Sequence, residues 1–499
     1  MSGWGGGYVT DIPYTIGWYR NQSPVRMAIG AIIGGVHADI PAGDDPVTML
    51  ELGCGYGFTA MALAASNPSW KVYGVDFNPA HIAAARSWAA EAGLTNVTFI
   101  EGDFALWEEN PALRELPQMD FVTLHGIWTW IPPAAQSGIV RLLGAKVRPG
   151  GLVHISYNAM TGWVDMIPVA RLIREAGNRA SGPSDRRAAE GFKLVTELIE
   201  AEASHMAGRK PVLARMEMLR HAGSSYLAHE FMNDCWAPCF LSDLQNALSD
   251  AKLEWAGTSE LTDNFPELSM SPKQREIFDR YPDRMMQEMV KDLCSPRTLR
   301  NDIFVRGANR IGSRERTELL MDVSLTLVTP AANLPDKLAV AAGEAELSKA
   351  FYTPVVQALS TRAWRVRDLL ALPNLVGRRD NPAELIAILS GAEMVEPTVR
   401  PMTAPGPEAM RFNEVSARRM MRKGVTRARV GIACRPTGMP ISVPVTGLVM
   451  LSYYRNGATD VAGLLEVIDP PEEGVEDARK EVVNFLERHL PLWRNAGAV

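Results

Sequence analysis

A short apolar strand that ends in a glycine-rich turn constrains the fold of this chain more than any other feature. Residues 47–52 read Val-Thr-Met-Leu-Glu-Leu, and Gly-Cys-Gly-Tyr-Gly follows at 53–57. Glycines let the backbone turn sharply and approach a ligand that a Cβ atom would block. This order predicts the first βα unit of an open α/β sheet, with a ligand held near the turn.

The alternation of strands and helices continues beyond this unit. Apolar stretches predict further strands at 71–75, 96–100, 121–125 and 152–156, with helices at 59–65, 79–92 and 136–147. Asn78-Pro79 is typical of a helix start. Strands that alternate with helices imply parallel pairing with right-handed crossovers. We therefore predict a doubly wound, Rossmann-like α/β sheet over residues 47–165.

The chain of 499 residues is too long for one core. Residues 166–222 look helical, and a helix at 241–251 with a strand at 253–256 either completes the first sheet or begins a middle module. Later, 325–328 and 337–340 look like hairpin strands. Helices at 347–359, 366–372 and 383–389 then suggest a winged-helix-like unit. We expect four parts: an N-terminal lid segment 1–46, a core 47–165, a helical middle domain 166–309 and a C-terminal α+β domain 310–499.

Charge and cysteine usage narrow the class of protein. The net charge of −6 argues against a general binder of nucleic acids or membrane surfaces. The sequence shows no apolar stretch long enough to span a membrane and no signal peptide. Cys235 and Cys239 lack a second pair of ligands, so we expect half-buried thiols and no metal site. A reduced, cytoplasmic protein fits these observations best.

The glycine-rich turn has two readings as a ligand site. A dinucleotide pyrophosphate favours G-x-G-x-x-G, whereas this turn is G-x-G-x-G with a carboxylate two places before it. A carboxylate at Glu51 would favour a cationic ligand. A purely structural βα turn is the alternative to both. The candidate residues of this motif are Glu51, Gly53, Cys54, Gly55 and Gly57.

Acidic residues also mark the ends of the next two strands. Asp76 ends the second strand, where a carboxylate accepts hydrogen bonds from ribose hydroxyls, and Phe77 beside it can pack on an adenine. Asp103, followed by Phe104, comes after the third strand and can reach an adenine amino group. Open α/β sheets bind ligands at these strand ends. Each motif alone is common, but three of them in this order are a specific signal for a ligand site at the strand ends.

This order of motifs resembles class I S-adenosylmethionine-dependent methyltransferases. Further stretches are similar to a narrower family, the bacterial outer-membrane-protein lysine methyltransferases and their relatives. These stretches are Val-Thr-Asp-Ile-Pro-Tyr-Thr at 9–15 with Ser-Pro at 23–24, His-Gly-Ile-Trp-Thr-Trp-Ile-Pro at 125–132, Ser-Tyr-Asn at 156–158 with Gly-Trp at 162–163, Tyr-Leu-Ala-His-Glu at 226–230 with Trp236, and Arg-Asn-Asp at 300–302 with Val-Arg-Gly at 305–307. The resemblance implies S-adenosylmethionine as cofactor, a protein lysine as acceptor and a regulatory middle domain.

Aromatic residues and one histidine are the candidates for the acceptor side. A partly dry aromatic pocket lowers a lysine pKa and holds a methylammonium by cation–π contact. Core packing is the alternative for each aromatic residue. For His125, which is also a candidate for cofactor contact, the alternatives are a proton acceptor and a hydrogen-bonded strand-end residue. The candidates are His125, Trp128, Trp130, Tyr157 and, in a lid that the resemblance implies, Tyr14 and Tyr19.

Other acceptors and roles stay open. Relatives without assigned substrates leave a glycan or a small molecule as the alternative acceptor. A nucleobase is disfavoured because Ile-Pro-Pro-Ala at 131–134 lacks the polar residue and the aromatic residue of that motif. A non-catalytic cofactor-binding scaffold is a third reading, which the intact glycines, Asp76 and Asp103 argue against.

One basic cluster stands out near the C-terminus. We expect either a solvated helix face or contact with an acidic protein, a polyanion or another subunit, such as the second copy in a homodimer. The cluster consists of Arg411, Arg418, Arg419, Arg422, Lys423, Arg427 and Arg429.

Overall fold

The centre of the protein is a seven-stranded sheet with the order β3-β2-β1-β4-β5-β7-β6. The structure is a computed structural model, and it describes residues 7–13, 16–377, 380–401, 405–425, 428–468 and 474–499. Strands β1 to β5 run parallel, and β7 pairs antiparallel with both β5 and β6. The strands are β1 (Thr48–Leu52), β2 (Lys71–Asp76), β3 (Val97–Glu101), β4 (Met119–His125), β5 (Val147–Asn158), β6 (Leu253–Thr258) and β7 (Leu299–Arg306).

The predicted Rossmann-like sheet is confirmed, and its order defines where a ligand can bind. The strand order reverses between β1 and β4, which opens a crevice at the carboxyl ends of these two strands. The strand predicted at 253–256 is β6, so it completes the first sheet. Its neighbour β7 was not predicted from the sequence. Two strands of residues 166–309 therefore belong to the same sheet as the glycine-rich turn.

Helices cover both faces of this sheet. Every residue of the first helix is buried, although it lies in the segment expected to form a lid. A Cβ on Gly34, which ends this helix, would lie 1.9 Å from the carbonyl oxygen of Ala256 in β6. The helix is thus a packed part of the core. The helices up to β5 are α1 (Pro24–Ile33), α2 (Phe58–Ser66), α3 (Pro79–Ala92), α4 (Pro111–Arg114) and α5 (Pro133–Lys146).

A group of helices between β5 and β6 forms a second, smaller core. Val195 and Ile173 are fully buried in it, and Phe192, Leu198 and Ile199 pack against it, which confirms the helical spacing seen in the sequence. The helices from β5 to β8 are α6 (Met160–Trp163), α7 (Ile167–Gly177), α8 (Ser184–Glu200), α9 (Lys210–Arg220), α10 (Ser224–Phe231), α11 (Leu241–Leu248), α12 (Pro266–Ser269), α13 (Pro272–Phe278), α14 (Arg284–Cys294) and α15 (Ser313–Met321).

The C-terminal region combines small sheets with helices. Its strands are β8 (Ser324–Leu327), β9 (Lys337–Val340), β10 (Gly343–Glu346), β11 (Trp364–Arg365), β12 (Val395–Thr398), β13 (Arg429–Ile432) and β14 (Ile441–Pro444). Its helices are α16 (Lys349–Leu359), α17 (Val366–Leu370), α18 (Pro382–Gly391), α19 (Pro407–Arg422), α20 (Val445–Arg455), α21 (Val461–Ile468), α22 (Val475–Asn484) and α23 (Leu490–Asn495).

The expected hairpin of 325–328 with 337–340 is wrong. Strand β8 lies between β11 and β12, and β9 pairs with β10 across a two-residue turn. Residues 343–346 read Gly-Glu-Ala-Glu, which lacks the apolar alternation that would have revealed β10. Within the described residues, no helix is both long and apolar enough to cross a membrane.

Candidate functional site

A cavity opens at the carboxyl ends of the parallel strands, where the strand order reverses. It is bounded by the turns after β1, β2, β3 and β4, as expected for an open α/β sheet. The predicted residues that line it are Gly53, Gly55, Asp76, Phe77, Asp103, Phe104, His125 and Trp130.

The glycine-rich turn lies at the floor of this cavity. Its three glycines all have positive φ angles, +73° at Gly53, +53° at Gly55 and +72° at Gly57. A Cβ on Gly57 would lie 2.4 Å from the ring of Phe99, so this glycine permits close packing within the protein. A Cβ on Gly55 would meet no atom within 4 Å. Gly55 therefore presents bare backbone to the cavity.

Asp76 connects this turn to the end of β2. Its Oδ2 accepts the N–H of Gly55 at 2.8 Å, and its Oδ1 accepts the N–H of Asn78 at 2.9 Å. The Nδ1 atom of His81 lies 3.4 Å from the same Oδ1. Each carboxylate oxygen has a further lone pair, so the buried side chain can still accept hydrogen bonds from the cavity.

Asp103 and two phenylalanines form the far end of the cavity. Asp103 caps the helical turn that follows β3 by accepting the N–H of Ala105 at 2.8 Å through Oδ1. Its other oxygen stays available because this side chain is exposed. Phe77 and Phe104 add apolar surface beside these acceptors. The cavity thus offers carboxylates for hydroxyl or amino groups, and ring faces for an aromatic group.

Glu51, Cys54 and Gly57 were expected at the cofactor but are not among the residues that line the cavity. Glu51 points under helix α2, where Oε2 accepts the N–H of Ala60 at 3.1 Å. Burial raises the pKa of Glu51 from 4.5 to about 8, although the hydrogen bonds of this carboxyl with Ala60 and Gln22 act to lower it. Its position indicates a role in holding the turn onto the helix.

His125 ends β4 at the inner wall of the cavity. The hydroxyl of Ser156 accepts the N–H of Gly126 at 2.8 Å, and its own hydrogen can then be donated to Nδ1 of His125, 2.9 Å away. Burial lowers the pKa of His125 to about 3, and nearby His154 adds to this shift. The imidazole is therefore neutral near pH 7. Tyr19 stacks on it with ring centroids 4.0 Å apart.

A second cavity adjoins the first. Both are lined by Tyr8, Gly126 and Trp130, so these residues form the boundary between them. The other residues that line the second cavity are Tyr19, Asn158, Trp163, Arg215, Tyr226, His229, Glu230, Thr298 and Leu299.

The walls of the second cavity combine aromatic rings with one partly buried carboxylate, that of Glu230. Trp236 stacks on Trp130 with centroids 5.9 Å apart and meets Trp163 edge-on at 5.0 Å. The guanidinium of Arg215 lies 4.5 Å above the Trp163 ring and 3.3 Å from Glu230. Burial raises the pKa of Glu230, and the attraction of Arg215 opposes this shift. Arg215 therefore lies over one face of Trp163 and pairs with Glu230, so the rings and the carboxylate of this cavity already hold one cationic group.

The N-terminal segment 7–13 passes over both cavities. Val9 donates its N–H to Asn233 at 2.8 Å, and Ser184 donates its N–H to Asp11 at 2.8 Å. The imidazole of His229 lies 3.2 Å from the carbonyl oxygen of Pro13. Helices α8 and α10 and the residues after α10 thus hold the segment that carries Tyr8. Tyr14 lies outside the described residues.

Two further candidates lie away from both cavities. Tyr157 is fully buried and donates its hydroxyl to Asp302 at 2.7 Å, because its side chain leaves β5 on the face opposite to Ser156 and Asn158. Trp128 is buried behind the turn after β4 and lines neither of these two cavities. Their positions indicate core packing, which was the alternative reading for each.

Several lining residues were not among the predicted site residues. Tyr226, His229 and Glu230 belong to a stretch that carried the family resemblance, so a signal for them was present. Tyr8 and His81 carried no comparable signal, because only the fold brings them to the cavity. Among the described residues, no cluster of three or more His, Cys, Asp or Glu side chains could hold a metal ion.

Comparison with known proteins agrees with this geometry. The family model described as "Methyltransferase domain" matches residues 49–151, and the one described as "Predicted methyltransferase regulatory domain" matches residues 223–306. The uncharacterised protein sll1526 of Synechocystis sp. is 32% identical over 356 residues, which cover 71% of this chain and 69% of that relative. The uncharacterised protein RP028 of Rickettsia prowazekii is 25% identical over 45% of this chain and 86% of its own length.

The solved structure of PKMT2 from Rickettsia typhi in complex with AdoHcy shares the fold. The match has a TM-score of 0.68 at 14% identity, and it covers 97% of this chain and 99% of that chain.

The fold and the cavity define a class I methyltransferase that uses S-adenosylmethionine. The chain belongs to the same family as sll1526 of Synechocystis, and it carries a methyltransferase domain followed by a methyltransferase regulatory domain.

Proposed function

We propose that this methyltransferase modifies the side-chain amine of a protein lysine. The observation that carries the proposal is the second cavity, which adjoins the first and is lined by Trp130, Trp163 and the partly buried carboxylate of Glu230. Aromatic faces and a carboxylate recognise an alkylammonium group. PKMT2 from Rickettsia typhi, whose structure was solved in complex with AdoHcy, shares the fold on which these two cavities are built.

The first cavity fits S-adenosylmethionine by its chemistry. Asp76 offers acceptors for the ribose hydroxyls, and Asp103 offers one for the adenine amino group. Phe77 and Phe104 provide apolar surface for the ring, and Gly55 leaves room for close backbone approach. The bound cofactor supplies a methyl group on a sulfonium, which an amine can accept by in-line displacement. His125, which is neutral, would add no positive charge to the cavity that would hold the cationic cofactor.

The acceptor amine must lose a proton before it can attack. Desolvation between Trp130 and Trp163 lowers a lysine pKa and so favours the neutral amine. The carboxylate of Glu230, which lines the same cavity and lies 3.3 Å from Arg215, is the group that we propose takes up the proton. Alignment of the amine with the methyl group can lower the barrier further, by up to roughly 7–11 kcal/mol for well-oriented reactants.

The proposal is tested by methyl transfer to a bacterial proteome. The full chain is incubated with S-adenosylmethionine bearing a labelled methyl group and a dialysed bacterial protein extract. Mass spectrometry then locates the label. Methylated lysine side chains are expected. Label confined to carbohydrate or small-molecule fractions, with none on lysine, would overturn the choice of acceptor while leaving the methyltransferase assignment intact.

Two matched pairs of variants test the two cavities. Asp76→Ala should weaken binding of S-adenosylhomocysteine at least about tenfold, since charge-assisted hydrogen bonds contribute about 1.5–3 kcal/mol. Glu101→Ala, at the exposed end of the neighbouring strand β3, is its control. Glu230→Gln should lower lysine methylation and leave cofactor affinity within about twofold. Its control is Glu217→Gln, on the exposed face of α9.

A further inference from the structure

Helix α19 of the C-terminal region packs on the two helices that begin at the cofactor cavity. Phe412 of α19 is fully buried, and its ring lies 5.5 Å from that of Phe58, the first residue of α2. Arg419 pairs with Glu91 of α3 at 2.6 Å and donates to Ser87 at 2.9 Å. Arg419 of the basic cluster therefore forms contacts within the molecule, with the methyltransferase core.

The residue that directly follows α19 reaches the glycine-rich turn itself. The ammonium group of Lys423 lies 4.5 Å from the ring centroid of Tyr56. Tyr56 stands between Gly55 and Gly57, whose φ angles are +53° and +72°. A cation over a ring face is an attractive contact that fixes the ring's position.

Tyr56 continues the connection to the cavity. Its ring lies 4.7 Å from that of His81, centroid to centroid. His81 lines the cofactor cavity, and its Nδ1 atom is 3.4 Å from Asp76 Oδ1. Asp76 in turn accepts the N–H of Gly55 at 2.8 Å. A continuous set of contacts thus joins Lys423 to the carboxylate and the bare backbone at the cavity floor.

We propose that Lys423 is a positioning residue for S-adenosylmethionine, through which the C-terminal region holds the glycine-rich turn in its binding conformation. Lys423 does not line the cavity, so it acts through Tyr56. The inference rests on the cofactor and not on the identity of the acceptor. It gives the C-terminal region a role in the methyltransferase site that is separate from acceptor recognition.

Calorimetric titration of the full chain with S-adenosylhomocysteine tests this role. Lys423→Ala should raise the Kd about two- to fivefold, which is the range expected from a partly exposed cation–π contact. Lys423→Arg should restore the wild-type value, since a guanidinium also binds a ring face. The control is Arg422→Ala, which removes the same charge from the adjacent exposed position.

A double-mutant cycle separates this role from a general effect on stability. Tyr56→Leu alone should weaken binding, and Lys423→Ala should add less than about 1.5-fold in that background, because coupled residues are not additive. Thermal unfolding without ligand should give the same Tm for Lys423→Ala and Arg422→Ala. Equal Kd values for these two variants, or an unreduced effect of Lys423→Ala in the Tyr56→Leu background, would overturn the proposal.

Discussion

Tyr19 and His125 stack with their ring centroids 4.0 Å apart and their planes at 28°. They come from distant elements, since Tyr19 precedes the helical turn Arg20–Gln22 that leads into α1, and His125 ends strand β4. Tyr19 also lines the second cavity, and His125 lines the first. The pair therefore connects the N-terminal segment to both cavities at once.

Tyr19→Ala should slow methyl transfer about tenfold. An aromatic pair contributes about 0.5–1.5 kcal/mol, and this pair joins a lining residue of the first cavity to a lining residue of the second. Tyr19→Phe should keep most of the activity, since it keeps the ring. The measurement is the initial rate of label incorporation into the protein extract, with Tyr281→Ala as an exposed control. An inactive Tyr19→Phe would show that the hydroxyl is required instead.

Gly55→Ala and Gly43→Ala form a matched pair. The two φ angles are +53° and +54°, and a Cβ at either position meets no atom within 4 Å. Both variants should lose about 1–2 kcal/mol of unfolding free energy from the left-handed backbone. Only Gly55→Ala should also weaken cofactor binding, by about tenfold or more, because its methyl group enters the cavity. If calorimetry gives the two variants equal affinities for the cofactor, the cofactor binds away from this turn.

Glu51→Gln should stabilise the protein at alkaline pH. The pKa of Glu51 is about 8 in the folded protein and 4.5 as its ordinary value. Because the folded state holds the proton more tightly, stability falls as pH rises from 4.5 towards 8. Removing the ionisable group should therefore raise the unfolding free energy at pH 8, relative to pH 5, by roughly 3 kcal/mol.

Urea denaturation of wild type and Glu51→Gln at both pH values measures this effect. Cofactor affinity should stay within about threefold, the change expected from 0.6 kcal/mol or less, because Glu51 is not a lining residue. A large loss of affinity with no gain in stability would instead support the direct cofactor contact expected from the sequence.

Tyr157→Phe should destabilise the protein without lowering kcat. The variant removes the hydroxyl donated to Asp302, a buried carboxylate that also binds Arg300 and Trp255. The expected cost is about 1–3 kcal/mol of unfolding free energy. Denaturant titration and methyl-transfer rates at 25 °C check both parts. A Tyr157→Phe variant that is as stable as the wild type but has a much lower kcat would show that Tyr157 takes part in the reaction.

The parallel part of the sheet was predictable because each strand is apolar and each boundary carries a turn or cap signal. Strand β7 was not, since Arg300 and Asp302 interrupt its apolar pattern. These charges are tolerated in the interior because Arg300 pairs with Asp302, Glu288 and Asp292. Such partners are known only once helix α14 is seen to pack beside the strand.

The candidate cofactor residues and the candidate acceptor residues differ in how far the sequence alone could place them. The carboxyl end of each parallel strand has one place in a doubly wound sheet, so the spacing of the motifs predicted that Gly55, Asp76 and Asp103 lie together, and all three line the first cavity. Which side chains face the second cavity depends on strand parity and on helices far along the chain. Only the tertiary structure therefore separated Trp130 from Tyr157, brought Glu230 to the site and set Lys423 on Tyr56.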